Sequence, residues 1–483
     1  MKLNVVSRSP APRTAMGAVA HRTTAEQTLM RSVMACMLWE KNAYSSGKSV
    51  ADTIAETVPQ VSPEFAAAVA YHARTDMKLR HVPLLVVREM VRHPEHKKLV
   101  GKLLPDVIQR PDEITEFLKI YWKDAPGSPI AKQVKKGLAA AFDKFSEYQL
   151  AKWDRAGEVR LRDVMFLVHA KPKDATTPGK YTKAERQAER ASSQMHRDLS
   201  YRESLFRRVV DSSLAVPDTW EVALSAGADK KETWTTLLMG KKLGAQAFLM
   251  NLRNMDQAGV DRGLIKDYAE NVPVERILPF QFLSSARAMP KYEDIIEPMM
   301  FRCLEDTPKL SGRTVLILDV SGSMGARISG KSDLTRVDTA AALAALVREQ
   351  CEEAAIYATA GSDGSRVHKT AALAPRRGFA LIEAVRMSFD SLGGGGIFLK
   401  QCMDYVLRAE EGNRVDRVIV LTDEQDCDTK ANPSTARIFD GKPAYLINVA
   451  TERHGIGYGK WTHIDGWSER VLDYIDAYEM QNQ

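Results

Sequence analysis

Cysteine is scarce in this chain of 483 residues, and what there is does not pair up. The five cysteines stand at positions 36, 303, 351, 402 and 427, with no C-x-x-C spacing. An odd, scattered set of this kind excludes a disulfide framework and a zinc site of the ribbon type. Long apolar runs are missing too. None approaches the ~20 residues of a membrane span, so no transmembrane helix is expected. The opening MKLNVVSRSPAPRTAMG has no continuous apolar core and does not read as a secretory signal. A cytoplasmic location is the expectation. The histidines His72, His81, His93, His96, His454 and His463 show no ligand period such as H-E-x-x-H. No nucleophile–base pair can be assigned either, so no enzymatic activity is expected. A clean internal period is also lacking, and a repeat array is permitted by the pattern without being required.

What is present divides in two. At 53.8 kDa the chain is too long for one ordinary core. The net charge of +6 hides a split. Residues 1–310 carry 48 Lys+Arg against 38 Asp+Glu, whereas 311–483 carry 20 against 24. A basic first part points to a polyanionic partner there. That part is helical in its periodicity: Leu29, Val33, Cys36 and Met37 share a face, as do Leu138, Phe142 and Phe145. Val164, Leu167 and Val168 mark another face, and Leu243, Ala247 and Met250 a fourth. Breakers separate these stretches, among them Pro63, Pro83, Pro94, Pro105 and Pro111.

Beyond about residue 310 the pattern becomes alternating. Buried strands are predicted over 314–320, 354–358, 415–422 and 444–449, with an Ala-rich helix over 339–350 and two helices flanking the GGGG at 393–396. Strands alternating with helices predict a parallel sheet covered on both faces. Its ligands would bind beyond the carboxyl ends of the strands, where Asp319 and Asp423 both stand.

One stretch, LDVSGSMGARISGKS at 318–332, fits competing chemistries. Asp319, Ser321 and Ser323 spell D-x-S-x-S, three oxygens for a hard divalent cation such as Mg²⁺, with Asp423 as a further contributor. Gly325 to Ser332 satisfies the phosphate-loop expression G-x-x-x-x-G-K-S, which would make the protein a nucleotide hydrolase. Four or five residues separate that loop from its strand, and Asp333 follows the GKS, which disfavours phosphate. The same residues also suit a helix cap.

The segment 311–483 resembles a von Willebrand factor A domain, whose adhesion site uses D-x-S-x-S. Upstream, MLWEKNAYSSGKSVAD (37–52), VRLRDVMFLVHAKPKD (159–174), KETWTTLLMGKKLGAQAFLMNLRNM (231–255) and ILPFQFLSSARAM (277–289) together resemble the TROVE module. In that order they are similar to the Ro autoantigen family and its bacterial relatives. The resemblance implies an arm at 1–22, a TROVE domain of HEAT-like helical pairs at 23–310, and an A-like, Rossmann-like domain at 311–483. The fold class is then α plus α/β, a monomeric helical ring closed by a doubly wound domain. It implies a non-catalytic RNA-binding protein. Y-like RNA would bind on a basic outer surface and 3′ ends of misfolded RNA in a central hole, with an exoribonuclease as associated partner. It also implies a Mg²⁺-type cation. Here the sequence departs from the A-domain pattern, because Ile397 follows the glycines where a Thr ligand is usual. A second departure is Gln281, where relatives often read H-P-F.

For RNA the densest basic stretch supplies Lys132, Lys135, Lys136, Lys152, Arg155, Arg160, Arg162, Lys171 and Lys173, since phosphate contact needs cations gathered on one surface. His169 stands where the family segment has its histidine. Tyr121, Trp122, Trp153 and Trp234 are candidates for stacking on unpaired bases.

Overall fold

The computed structural model describes residues 12–33, 50–77, 79–154, 157–171, 201–216, 219–225, 227, 229–275, 277, 279–305, 309–328, 333–412, 414–450, 454–466, 471–472, 475 and 479. Most of the 37–52 motif, the basic stretch beyond Lys171, Arg155, Lys173 and the Ser329-Gly-Lys-Ser332 end of the phosphate-loop expression lie outside them. The chain forms two compact units, Ile54–Ser225 and the pair Met1–Thr53 with Ala226–Gln483.

The Ile54–Ser225 unit is all helical among its described residues. Its helices are α3 (Pro63–Thr75), α4 (His81–Val91), α5 (Pro94–Val107), α6 (Pro111–Trp122), α7 (Lys132–Phe142), α8 (Glu147–Trp153), α9 (Leu161–Val168), α10 (Tyr201–Val210) and α11 (Trp220–Ser225). Two come before them in the chain, α1 (Ala25–Val33) and α2 (Val50–Thr57). Odd helices stack on odd and even on even: α3 on α5, α5 on α7 and α7 on α9, with α4 on α6, α6 on α8 and α8 on α10. Such two-layer stacking of pairs buries a continuous core that no single pair could close. Pro63, Pro94 and Pro111 each open a helix, where the missing N–H costs nothing. Pro105 departs from its expected role as a breaker and sits inside the last turns of α5. Its own carbonyl accepts from Lys144 Nζ at 2.5 Å. Helices α5 and α7 meet through a glycine: a Cβ on Gly137 would lie 2.8 Å from Leu104 Cβ.

The second unit has helices that stack in the same alternating way among themselves. Helices α12 (Lys230–Met239), α13 (Ala245–Gln257), α14 (Arg262–Asn271), α15 (Pro279–Ala288) and α16 (Glu293–Arg302) pack α12 on α14, α14 on α16 and α13 on α15. They lead directly into an α/β domain. Its elements are β1 (Leu310–Asp319), α17 (Arg336–Glu349), β2 (Cys351–Ser362), β3 (Val367–Ala372), α18 (Gly378–Leu392), α19 (Leu399–Ala409), β4 (Arg417–Thr422), β5 (Ala444–Asn448) and β6 (Thr462–Asp465). The sheet order is β3-β2-β1-β4-β5-β6. All pairings are parallel except the β2–β3 hairpin.

Alternation along β1 splits the core into two layers. Leu316 and Leu318 share a buried cluster with α17 and α18, while Val315 and Ile317 share another with Leu399, Cys402 and Val406 of α19. All four predicted strands are present. The edge strands β3 and β6 were not predicted, since both are only part-buried and neither has an apolar run. The Ala-rich helix starts earlier than predicted, at Arg336, because Thr335 caps it in a box with Asp338.

Two predicted helical faces are corrected. Leu167 is 40% exposed, and α9 instead buries Leu161, Val164, Met165 and Val168. Met250 is 73% exposed, and α13 turns Ala245, Phe248, Leu249, Leu252 and Met255 inward. In both, three apolar positions, spaced i, i+3, i+4 in the first and i, i+4, i+7 in the second, straddled two neighbouring faces.

Candidate functional site

The sheet reverses its order between β1 and β4, the place where open α/β sheets hold ligands. Asp319 ends β1 and Asp423 follows β4, and both are fully buried. Asp319 Oδ1 accepts from the Ser321 N–H at 2.8 Å, and Oδ2 accepts from the Thr422 hydroxyl at 2.6 Å. Ser321 Oγ and Ser323 Oγ lie 3.2 Å apart. Burial, with the Asp423 charge behind it, pushes the Asp319 carboxyl up to about 7. Asp423 Oδ2 accepts from Arg336 Nη1 at 2.8 Å. The site thus holds two buried carboxylates and one guanidinium. A carboxyl so strained toward neutrality, flanked by two hydroxyls, fits a hard cation through Asp319, Ser321 and Ser323. Asp423 is already shared with Arg336.

The glycine loop closes on this turn, with the Gly322 N–H donating to Gly395 O at 2.9 Å. Ile397 is fully buried in the core layer that holds Val315, Ile317 and Leu399. Its side chain therefore packs, where a threonine would offer oxygen.

Next to this site, Glu424 adopts φ +63°, a conformation unusual for a residue with a side chain. Its carboxylate receives Arg31 Nη2 at 2.9 and 3.0 Å and the Gly457 N–H at 3.0 Å, and it also meets His463 Nε2. Arg31 Nε donates to the Tyr458 hydroxyl at 3.0 Å and lies 3.4 Å from Asp465. Glu424, His463 and Asp465 gather their ligand atoms within 4.8 Å, as around a metal. The Arg31 guanidinium already supplies a positive charge to two of the three. Burial alone would raise Glu424, but His463 and Arg31 outweigh it and hold the carboxyl at about 2. Burial likewise opposes the charge of His463, yet Glu424 prevails and pushes it up to about 9.

The basic candidates lie elsewhere, on α7 and α9. Lys132 and Lys136 are exposed one turn apart, with Lys135 half-buried between them. Three cations in the first two turns, with no acidic residue there, oppose the positive end of the helix dipole. Lys152 is half-buried beside Trp153. Arg160 caps α9 and reaches Asp154 at 3.4 Å. Arg162, His169 and Lys171 are exposed, and Arg162 lies 3.6 Å from Asp163.

Residues 210–392 match the family model of the TROVE domain. Over that stretch the chain is similar to the TROVE domain. The match crosses residue 310 and runs through α18 of the α/β domain. A rat protein described as telomerase protein component 1 is 22% identical over 357 residues, covering 61% of this chain and 14% of that protein. This chain therefore spans about a seventh of that relative's length. In fold it is similar to the crystal structure of the RO (RSR) protein of Deinococcus radiodurans, with a TM-score of 0.59 and 16% identity. That likeness covers 95% of this chain and 100% of the other.

Of the aromatics proposed for stacking, Trp234 is fully buried and is thereby ruled out. Arg110 covers the Trp153 ring at 3.8 Å. The Tyr121 hydroxyl and the Trp122 N–H bond Pro129 O and Ser128 O, fastening the following loop. Sequence reasoning missed Phe166, which is 62% exposed. Its place opposite the apolar face of α9 was the available signal. Arg31, Glu424 and His463 were missed as well, because no local motif links residues so far apart.

Proposed function

We propose that this chain is a non-catalytic RNA-binding scaffold of the Ro type. It binds small structured, Y-like RNA through basic helices and takes up single-stranded 3′ ends of misfolded RNA, in association with an exoribonuclease. The observation that carries this reading is the TROVE match, in a chain whose fold follows that of a Ro protein almost throughout. The lysines of α7, two exposed and one half-buried, support it physically. Lys132, Lys135 and Lys136 have no carboxylate within ion-pair distance among the described residues, so their charge is free for phosphate.

The test is gel retardation of a stem-loop RNA with a single-stranded 3′ tail, across a salt series. Affinity is expected to fall steeply with salt, and reversing Lys132, Lys135 and Lys136 to Glu should weaken binding about tenfold or more. Unchanged retardation by that variant would remove α7 from the surface.

A second reading concerns the strand ends, and the buried Asp319 between two serines favours it. We read the α/β domain as von Willebrand factor A-like, with Asp319, Ser321 and Ser323 holding Mg²⁺ or a similar ion. Such an ion supplies an open coordination position for a partner's carboxylate. The chain itself contributes the turn that sets the three oxygens, and Arg336, which balances Asp423. Equilibrium dialysis with Mn²⁺ should reveal a saturable site that Asp319→Asn abolishes while RNA affinity is kept. Absence of saturable Mn²⁺ binding in the unaltered protein would end this reading.

A further inference from the structure

We propose that Phe166 is a stacking platform for an unpaired nucleobase, flanked on the same side of α9 by Arg162 and His169. This rests on the RNA-binding reading above and specifies the class of RNA taken at that surface, which is single-stranded.

Helical spacing places the three together. Positions 162, 166 and 169 fall at i, i+4 and i+7, well away from the buried stripe of Leu161, Val164, Met165 and Val168. Phe166 is the most exposed aromatic among the described residues. Leaving such a ring in water forgoes most of the free energy its burial would supply, so the helix gains little from it in the free protein. Beyond its exposed pair with Asp163, Arg162 has no hydrogen-bond partner among the described residues. Its guanidinium is available to phosphate.

His169 adds an independent sign. It ends α9 in the left-handed region at φ +57°, with its N–H bonded to Met165 O and Phe166 O. Glycine or asparagine would fill that position at lower cost. A histidine there is exposed, and its ring presents both a donor and a flat face. Lys171 follows, and α9 packs on α7 with its three lysines. A ring with cations around it matches the alternation of base and phosphate along a single strand. It does not suit a duplex, whose bases are stacked already. An apolar protein partner would leave those cations without a role.

The experiment uses the full chain and two fluorescein-labelled probes of equal length, oligoadenylate and an RNA duplex. Binding is followed by anisotropy over a salt series. Phe166→Ala is expected to lose about 5- to 100-fold in affinity for the single strand, with duplex affinity and the salt slope unchanged. Phe166→Trp should restore single-strand binding. Arg162→Gln should lower the salt slope by about one. Three results overturn the proposal: equal single-strand affinity for Phe166→Ala and the unaltered protein, parallel loss for both probes, or failure of Phe166→Trp to rescue. If the unaltered protein retards no RNA even in dilute salt, the broader RNA-binding reading falls as well, which separates the two failures.

Discussion

Glu424 shows how much single side chains can hold in a place that local sequence does not announce. It sits in a backbone conformation disfavoured for its type, is fully buried, and is held there by Arg31, His463 and the Gly457 N–H. His463 faces Glu424, Asp465, Arg31 and Tyr458. In the fold it titrates near 9, against about 6.5 in an unfolded chain. The sign follows directly. Its charge stabilises the fold fully below about pH 6.5, and that contribution, on the order of 3 kcal/mol, is lost as pH rises through about 9. Urea unfolding at pH ~6 and pH ~9.5 should therefore show a loss of stability that His463→Gln flattens. A profile identical in the two proteins would show that the imidazole carries no net charge in the fold. By contrast, Asp319, Ser321 and Ser323 were legible at once, because their spacing within one turn is itself the signal.

Elements were legible where burial is one-sided or complete. The runs at β1 and β4 are buried on both faces, so their apolar sequence names them. The edge strands carry Val-His-Lys-Thr-Ala-Ala and Thr-His-Ile-Asp, sequences that gain strand geometry only from the neighbour they pair with. Helix starts at Pro63, Pro94 and Pro111 followed from proline's fixed φ and missing donor. Pro105 did not obey: it sits two residues from the C-terminal end of α5, where its missing N–H leaves the Gly101 carbonyl without its helical donor. The facing of Leu167 and Met250 could not be settled from three apolar positions. Which side of a helix is inner depends on the helices two places before and after it.

For the molecule as a whole, the decisive fact is that its two ends belong to one unit. The described N-terminal segment bonds along the loop after β4: the Thr14 hydroxyl to Asp426 O at 2.9 Å, and the Ala15 N–H to Gln425 Oε1 at 2.9 Å. Further on, the His21 N–H reaches Gly455 O at 3.1 Å and Arg31 reaches Glu424. The same α/β domain also meets α15 and α16, through Arg287 with Asp338 and through Glu297, which accepts from the Phe379 N–H at 2.7 Å. Arg31→Ala would leave a buried carboxylate with only part of its partners. It should destabilise the protein by about 3 kcal/mol, read as a lowered urea midpoint. A midpoint within experimental error of the unaltered protein would show that the N-terminal segment is not a structural tie.

The order of residues alone was enough for the two kinds of architecture, the strand-end oxygens and the excess of positive charge. Each of these is written in neighbours a few residues apart, through helical or strand periodicity, turn chemistry and composition. Folding in three dimensions was needed to show that Ile397 packs in the core, that Arg336 engages Asp423, that Arg31 meets Glu424, and that Phe166 is left facing water. Those outcomes depend on which distant surfaces meet, and burial is a property of the assembled fold.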